Sequence, residues 1–134
     1  MLTCYLSVGS NLGTKSKNIE FAIDQLRRIK GIRVLKVSPL IRTKAQGGPK
    51  GQPDFLNGAL KIKTSIPAES LLKVIKKIES KIGRIKAPRN FPRVIDIDIL
   101  LYGDRIVKSR DLVIPHPAMF KRDFVIKPLL SVLC

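Results

Sequence analysis

Two aspartates that share one face of a predicted strand are the residues best suited to chemistry in this chain. The segment from Arg93 to Gly103 reads RVIDIDILLYG, in which apolar residues alternate with Asp96 and Asp98. Because strand side chains point to opposite faces in turn, both carboxylates face the same way, roughly 6.6 Å apart along the strand. Two anions this close on an apolar strand are costly unless a cation lies between them. The pair predicts a divalent-metal site; a polar strand face exposed to water is the alternative.

Cationic residues in the neighbouring segments favour the metal interpretation. Arg93 directly precedes the strand, and Arg84 begins the loop before it. Carboxylate-bound Mg²⁺ beside guanidinium groups is the combination that a triphosphate requires. His116, the single histidine, is held between two prolines, and Arg122 follows six residues later. The histidine is predicted to contact phosphate; a half-buried histidine that ends a strand is an equal alternative.

An aromatic ring and an amide open another predicted strand. In the segment QPDFLN at 52–57, Phe55 and Asn57 have the same parity and so share a face. A flat ring and an amide suit a planar heterocycle that is stacked and hydrogen-bonded at its edge. A core phenylalanine with an asparagine that satisfies a turn is the alternative.

The turn Gly9-Ser10-Asn11-Leu12-Gly13 joins a strand to a helix. Such a turn can bind phosphate. It does not match the phosphate-binding loop of nucleotide hydrolases, because Thr14 stands where that motif requires glycine. A structural turn that closes the strand–helix unit is the favoured interpretation.

The composition indicates one globular domain over 1–134 that acts on an anionic partner. The chain has 26 Lys and Arg against 10 Asp and Glu, a net charge of +16. This excess fits nucleotide phosphates, nucleic acid or anionic membranes equally well. No apolar run approaches the length of a membrane span and no signal peptide precedes the first strand, so we expect a cytoplasmic protein. The two cysteines, Cys4 and Cys134, show no metal-binding spacing.

Hydrophobic periodicity predicts a β-α-β-β-α-β order. Strand-like segments at 5–8, 32–42, 55–64 and 94–102 alternate with amphipathic helices at 14–30 and about 67–82. Ser16 or Asn18 is the predicted cap of the first helix, and Gly83 ends the second. A short strand at 105–107 and a helical turn at 117–121 follow, and the apolar segment 124–130 is expected to cover an edge. The fold class is therefore α+β, a ferredoxin-like antiparallel sheet with helices on one face and a C-terminal hairpin or edge segment.

In combination these segments resemble the 6-hydroxymethyl-7,8-dihydropterin pyrophosphokinase family, in the family's order and over about residues 3–130. The Pro-Arg-x-x-Asp-x-Asp strand followed by Pro-His-Pro is highly specific, whereas the glycine turn alone is not. The chain departs from the family in having no Trp before Pro92, a second loop one residue shorter, and no Pro after Thr43. The matching segments are Gly9–Gly13, Gln52–Asn57, Gly83-Arg84, Pro92–Gly103, Ile114–Pro117, Arg122, Phe124 and Pro128-Leu129.

The resemblance implies Mg²⁺-dependent transfer of pyrophosphate from ATP to the hydroxymethyl group of a reduced pterin, releasing AMP, in folate biosynthesis. It implies that Asp96 and Asp98 hold two Mg²⁺ ions. The implied catalytic residues are Arg84, Arg93, Asp96, Asp98 and His116. The implied ATP-binding residues are Leu72, Lys76, Arg84, Lys86, Arg93, Ile99, His116 and Arg122. The implied pterin-binding residues are Thr43, Gly47, Phe55, Asn57, Asp96 and Phe124, with both phenylalanines stacking on the ring.

Two other classes of function fit parts of the sequence. Basic ferredoxin-like sheets also bind RNA, with Tyr5 and Phe55 as possible stacking rings. A regulatory domain that binds a small molecule without catalysis is the other alternative. The paired aspartates and the lack of an aromatic RNA-binding run argue against the first, so we expect an enzyme with no nucleic-acid partner. We also expect no membrane partner and a monomer, although no motif in the sequence determines the oligomeric state.

Overall fold

A five-stranded antiparallel sheet forms the centre of the protein. The computed structural model describes residues 1–44, 50–83 and 94–133. The sheet consists of β1 (Leu2–Ser10), β2 (Ile32–Val37), β3 (Ile41–Thr43), β4 (Phe55–Thr64) and β5 (Asp96–Tyr102). Their order is β2-β4-β1-β5, and β3 pairs with the start of β4. The inner strand β1 therefore lies between the strand that begins with Phe55 and the strand that begins with Asp96.

Two helices bury their apolar stripes on one face of this sheet. They are α1 (Lys15–Arg27) and α2 (Ala68–Ile82). Residues at three- and four-residue spacing, such as Leu71, Ile75 and Ile78 in α2, are buried against the strands. Gly83, with φ 98°, adopts the left-handed conformation that ends α2. The main core therefore lies between this helix pair and the sheet.

The opposite face carries a smaller core beneath a third helix. A hairpin of β6 (Val107–Lys108) and β7 (Val113–Ile114) leads to α3 (Asp123–Leu133). The buried members of this second core are Ala59, Leu100, Met119, Val125, Leu129 and Val132, with Tyr5, Leu101 and Phe124 packed beside them. The first residues of β4 and β5 carry Asn57, Asp96 and Asp98 on this same face of the sheet.

The predicted α+β antiparallel fold and its C-terminal hairpin are confirmed, with several local corrections. The single strand expected at 32–42 is two strands, because Pro39 interrupts it and Ser38 bonds Ala59 instead: its N–H donates to the Ala59 carbonyl at 2.9 Å and its Oγ accepts from the Ala59 N–H at 2.8 Å. The first strand is longer than the predicted 5–8.

The corrections at helix ends concern caps and the C-terminal segment. Thr14, rather than Ser16 or Asn18, occupies the cap position of α1, and it makes no side-chain capping bond. The helical turn predicted at 117–121 agrees with the hydrogen-bonded turns found there, in which Met119 N–H donates to the His116 carbonyl and Lys121 N–H to the Ala118 carbonyl. Residues 124–130 lie within α3 and cover a sheet face, so the prediction that they seal an edge was wrong.

Candidate active site

Two of the residues predicted to bind ligands, Asn57 and Asp96, lie in one row across three strands. Gly9 of β1 pairs with Asn57 of β4 on one side and with Asp96 of β5 on the other. Two residues along, Ser7 pairs with Asp98. Directly opposed residues share a face, so Asn57, Asp96 and Asp98 all lie on the face that α3 covers only in part. With strands about 4.8 Å apart, Asn57 and Asp96 are separated by roughly 10 Å.

The Asn57 side chain lies flat across the central strand. It is 6% exposed, and its Nδ2 donates to the Thr43 Oγ1 at 2.9 Å. Its Oδ1 lies over Gly9, where a Cβ would come within 2.7 Å of it. The close approach explains why this position carries glycine. The cross-strand pair of Thr43 and Phe55 places the ring on the same face as the amide.

The glycine turn acts structurally, as the sequence favoured. Asn11 is fully buried, and its Nδ2 donates to the Gln52 Oε1 at 2.8 Å and to the Pro53 carbonyl at 3.2 Å. Asn18 of α1 donates to the Leu12 carbonyl at 2.9 Å. These bonds fasten the segment before Phe55 to the end of β1. The sequence did not reveal this role of Asn11; its only signal was an asparagine in a turn that cannot serve as a phosphate-binding loop.

His116 lies beside the carboxylate pair. Its Nε2 is 4.0 Å from the Asp98 Oδ1, and its Nδ1 accepts the Ala118 N–H at 3.1 Å. Since Nδ1 is an acceptor, the neutral ring carries its proton on Nε2, toward Asp98. The main-chain N–H of His116 donates to the Leu100 carbonyl at 3.0 Å, which fixes the loop to β5. Both sequence interpretations of this histidine are therefore compatible with its position.

Arg122 and Phe124 lie together at the start of α3. The Arg122 guanidinium carbon is 5.6 Å from the centre of the Phe124 ring. A guanidinium over an aromatic face is attracted by the ring's quadrupole, so the ring restricts the cation. The family resemblance implies different ligands for these two residues, phosphate for Arg122 and the pterin for Phe124. The structure brings them into contact.

Two of the residues that the resemblance implies for ATP binding, Leu72 and Ile99, lie where β5 meets α2. Ile99 is 3% exposed and packs in the main core with Leu72. Any base bound there would meet Leu72 and the backbone of β5, because the Ile99 side chain is buried. Lys76, predicted to contact ATP, is exposed on α2, with its Nζ 3.9 Å from the Glu79 Oε1.

Glu79 is a site neighbour that the sequence analysis missed. It is 1% exposed, and its Oε2 accepts the main-chain N–H of Ile97, between the two aspartates, at 2.9 Å. A sequence signal existed: position 79 falls on the apolar stripe of α2, four residues after Ile75. A carboxylate is buried at such a position only when it is hydrogen-bonded.

Some predicted site residues fall in ranges that the structure does not describe. Gly47 lies in 45–49, and Arg84, Lys86 and Arg93 lie in 84–93. Their predicted roles depend on the sequence alone.

The donor set of the aspartate pair fits Mg²⁺. Among the described residues, no group of three or more His, Cys, Asp or Glu side chains could hold a metal ion. The described protein groups at this position are two partly exposed carboxylates on one face. Mg²⁺ commonly takes one or two carboxylates and completes its octahedron with water and substrate phosphates. The arrangement therefore suits a metal that arrives with a phosphorylated substrate.

Comparison with known proteins places the chain in a family. Residues 5–134 match the family model described as 7,8-dihydro-6-hydroxymethylpterin-pyrophosphokinase. The match covers nearly the whole chain, and the chain belongs to this family.

Its relatives occur both as separate enzymes and as parts of longer proteins. The chain is 42% identical to the 2-amino-4-hydroxy-6-hydroxymethyldihydropteridine pyrophosphokinase of Aquifex aeolicus, covering 98% of this chain and 81% of that protein. It is 36% identical to the enzyme of that name from Haemophilus influenzae, over 98% and 82%. It is also 47% identical to the folic acid synthesis protein fol1 of Schizosaccharomyces pombe, over 95% of this chain but only 17% of that longer protein.

Proposed function

We propose that this chain transfers pyrophosphate from ATP to the hydroxymethyl group of 6-hydroxymethyl-7,8-dihydropterin in folate biosynthesis. The observation that carries the proposal is the row Asn57–Gly9–Asp96. It sets an amide for a heterocycle's edge roughly 10 Å from a carboxylate pair, on one continuous face. This spacing suits a bicyclic ring whose hydroxymethyl substituent points at the aspartates.

The reaction forms one bond and breaks another. The pterin hydroxyl oxygen attacks the β-phosphorus of ATP, the bond from that phosphorus to the oxygen bridging the α-phosphate breaks, and AMP leaves with that oxygen. The hydroxyl proton is lost, with Asp96 or Asp98 as the proposed acceptor. Catalysis of such transfers depends mainly on alignment and on stabilising the charge that spreads over the phosphate oxygens.

The chain's own residues divide these tasks. Asn57, Thr43 and Phe55 orient the ring, with Phe124 proposed on its other face. We propose that the His116 Nε2–H, beside Asp98, and the Arg122 guanidinium contact the phosphates of bound ATP. Asp96 and Asp98 would hold two Mg²⁺ ions, which when bound would offset the negative charge of the phosphate oxygens. We propose that Leu72, Lys76 and the backbone at Ile99 contact the nucleotide, and that Gly47 contacts the pterin and Arg84, Lys86 and Arg93 the phosphates.

The alternative of an RNA-binding module required Tyr5 and Phe55 as stacking rings, and the position of Tyr5 argues against it. Tyr5 packs beside the second core beneath α3 and is not presented as a stacking platform.

The single domain over 1–134, the monomeric state and the cytoplasmic location stay predictions. Among the described residues, no helix is both long and apolar enough to cross a bilayer.

A direct assay of AMP formation tests the proposal. Purified protein is mixed with ATP, MgCl₂ and 6-hydroxymethyl-7,8-dihydropterin, and AMP is measured by chromatography, with pterin omitted as the background. We expect pterin-dependent AMP, and we expect Asp96→Asn to lower turnover by orders of magnitude while the fold persists. Asp104→Asn, an exposed acid in a turn, is the matched control. Tight pterin binding without AMP formation would instead identify a regulatory domain.

A further inference from the structure

Glu79 is a buried acid that the reaction described above does not use. Of the acidic side chains in the described ranges, it is the only buried one, at 1% exposure. Its neighbours on the same stripe of α2 are Leu71, Ile75 and Ile78. Placing a carboxylate in an apolar stripe costs free energy unless hydrogen bonds compensate. A leucine would fill this position at lower cost if packing were its only task.

The bond that Glu79 accepts lies at the centre of the aspartate pair. Its Oε2 is 2.9 Å from the Ile97 nitrogen. Ile97 separates Asp96 from Asp98, and β5 has β1 as its only strand neighbour in the described sheet. The carboxylate thus takes the place of a carbonyl that a further strand would supply. It fixes the peptide joining Asp96 to Ile97.

The geometry points to Glu79 as a positioning residue for Asp96 and Asp98. A strand edge bonded on one side only can twist or fray. Because Asp96 and Asp98 lie on either side of Ile97 on the same strand, a twist of the backbone at Ile97 changes the direction of one carboxylate relative to the other. Glu79 holds that peptide from α2, the helix that also carries Lys76 and Leu72. This inference rests on the proposed function only where it states that the pair serves a metal–nucleotide complex.

Two substitutions separate the acceptor role from simple packing. Glu79→Gln keeps a carbonyl oxygen in nearly the same place and removes the charge. Glu79→Leu keeps the volume and removes the acceptor. Ile78→Val, on the same helix and in the main core, is the matched control for lost stability. Should Glu79→Leu fail to fold, Glu79→Asp withdraws the acceptor by one methylene and replaces it in the series.

The first measurement requires neither metal nor nucleotide. Hydrogen exchange at the Ile97 amide is followed by NMR in the metal-free proteins and compared with the Leu60 amide of β4, so that a global loss of stability cancels. We expect Glu79→Leu to lower the Ile97 protection at least tenfold relative to Leu60. Glu79→Gln should remain within about threefold of the wild type, and Ile78→Val should leave the ratio unchanged.

The second measurement is the Mg²⁺ concentration for half-maximal AMP formation. Loss of a group that orients a metal ligand typically weakens metal binding about 10–100-fold. We therefore expect Glu79→Leu to require at least about tenfold more Mg²⁺, and Glu79→Gln and Ile78→Val to match the wild type. Equal Mg²⁺ requirements in Glu79→Leu and Ile78→Val, or an unchanged Ile97 ratio in Glu79→Leu, would overturn the inference. A wild type that forms no AMP would refute the proposed function, and the exchange data would still decide whether Glu79 holds the strand.

Discussion

At the scale of single residues, the site depends on Gly9 having no side chain, because the Asn57 amide fills the space that such a side chain would take. Asn57 Oδ1 lies where a Gly9 side chain would begin. The amide is thereby held between Thr43 and the central strand, with little freedom to rotate. A ligand that meets it finds an ordered hydrogen-bonding group, which reduces the entropy lost on binding.

Gly9→Ala should displace the Asn57 amide and weaken pterin binding about tenfold, or ~1.4 kcal/mol. The added Cβ would lie 2.7 Å from Oδ1, closer than such atoms approach. Calorimetric titration of the pterin measures the loss. The control is a double-mutant cycle with Asn57→Ala, which removes the clashing oxygen. Strict additivity of the two substitutions would contradict the proposed clash.

Cys4 should be inert to thiol reagents near neutral pH. Burial raises the pKa of its thiol to about 11. An unfolded thiol ionises near pH 8.5, so the native state keeps its proton while the unfolded state loses it. The stabilisation that comes from burying the protonated thiol is therefore complete below about pH 8.5. The free energy of unfolding declines as the pH rises from there toward 11.

The measurement is labelling of a Cys134→Ser variant with Ellman's reagent, with and without denaturant. We expect labelling only in denaturant at pH 8. Fast labelling of the native variant would show that Cys4 is accessible.

At the scale of elements, positions within regular periodicity were predictable and exceptions to it were not. The alternation at Asp96 and Asp98 and the stripe of α2 were confirmed because one face of each is buried. Two exceptions to periodicity were not predicted. Glu79 occupies an apolar position of α2, and Pro128 lies inside α3. Pro128 masked the spacing of Val125, Leu129 and Val132, so the segment was not predicted as a helix.

Asn11 connects the end of β1 to the segment before β4, because its amide donates hydrogen bonds to residues 52 and 53. Local propensity cannot reveal such a bond, because its partners are 41 and 42 residues apart.

Asn11→Ala should lower the free energy of unfolding by about 1–3 kcal/mol, because it removes a buried amide together with its hydrogen bonds to Gln52 and Pro53. It should also weaken pterin binding more than ATP binding, since the segment it fastens leads to Phe55. Urea denaturation and two ligand titrations measure these effects. Thr14→Ala, at a cap position without a side-chain bond, is the control and should change stability by less than about 0.5 kcal/mol. Equal weakening of both ligands would argue that the turn does not act through Phe55.

At the scale of the whole molecule, the excess of Lys and Arg side chains should attract the charged substrate, ATP, and have little effect on the pterin. The net charge is +16, and ATP is polyanionic whereas the pterin is neutral. Attraction at a distance is screened as the Debye length falls from about 10 Å at 0.1 M salt to about 3 Å at 1 M.

We therefore expect kcat/KM for ATP to fall at least severalfold between 0.05 and 0.5 M KCl, while kcat/KM for the pterin at saturating ATP changes little. Initial rates at fixed free Mg²⁺ measure both. The pterin series is the internal control. A parallel fall for both substrates would indicate a general salt effect on the enzyme rather than steering of ATP.

The position of the aspartate strand has a consequence for solubility. In the described sheet, β5 has β1 as its only strand neighbour, and a strand edge can pair with another molecule. A second copy that added its β5 in antiparallel register would bring four carboxylates together on one surface, and the Ile97 amide it would need is already engaged by Glu79. The repulsion among these like charges and the engaged Ile97 amide would both disfavour such pairing between copies.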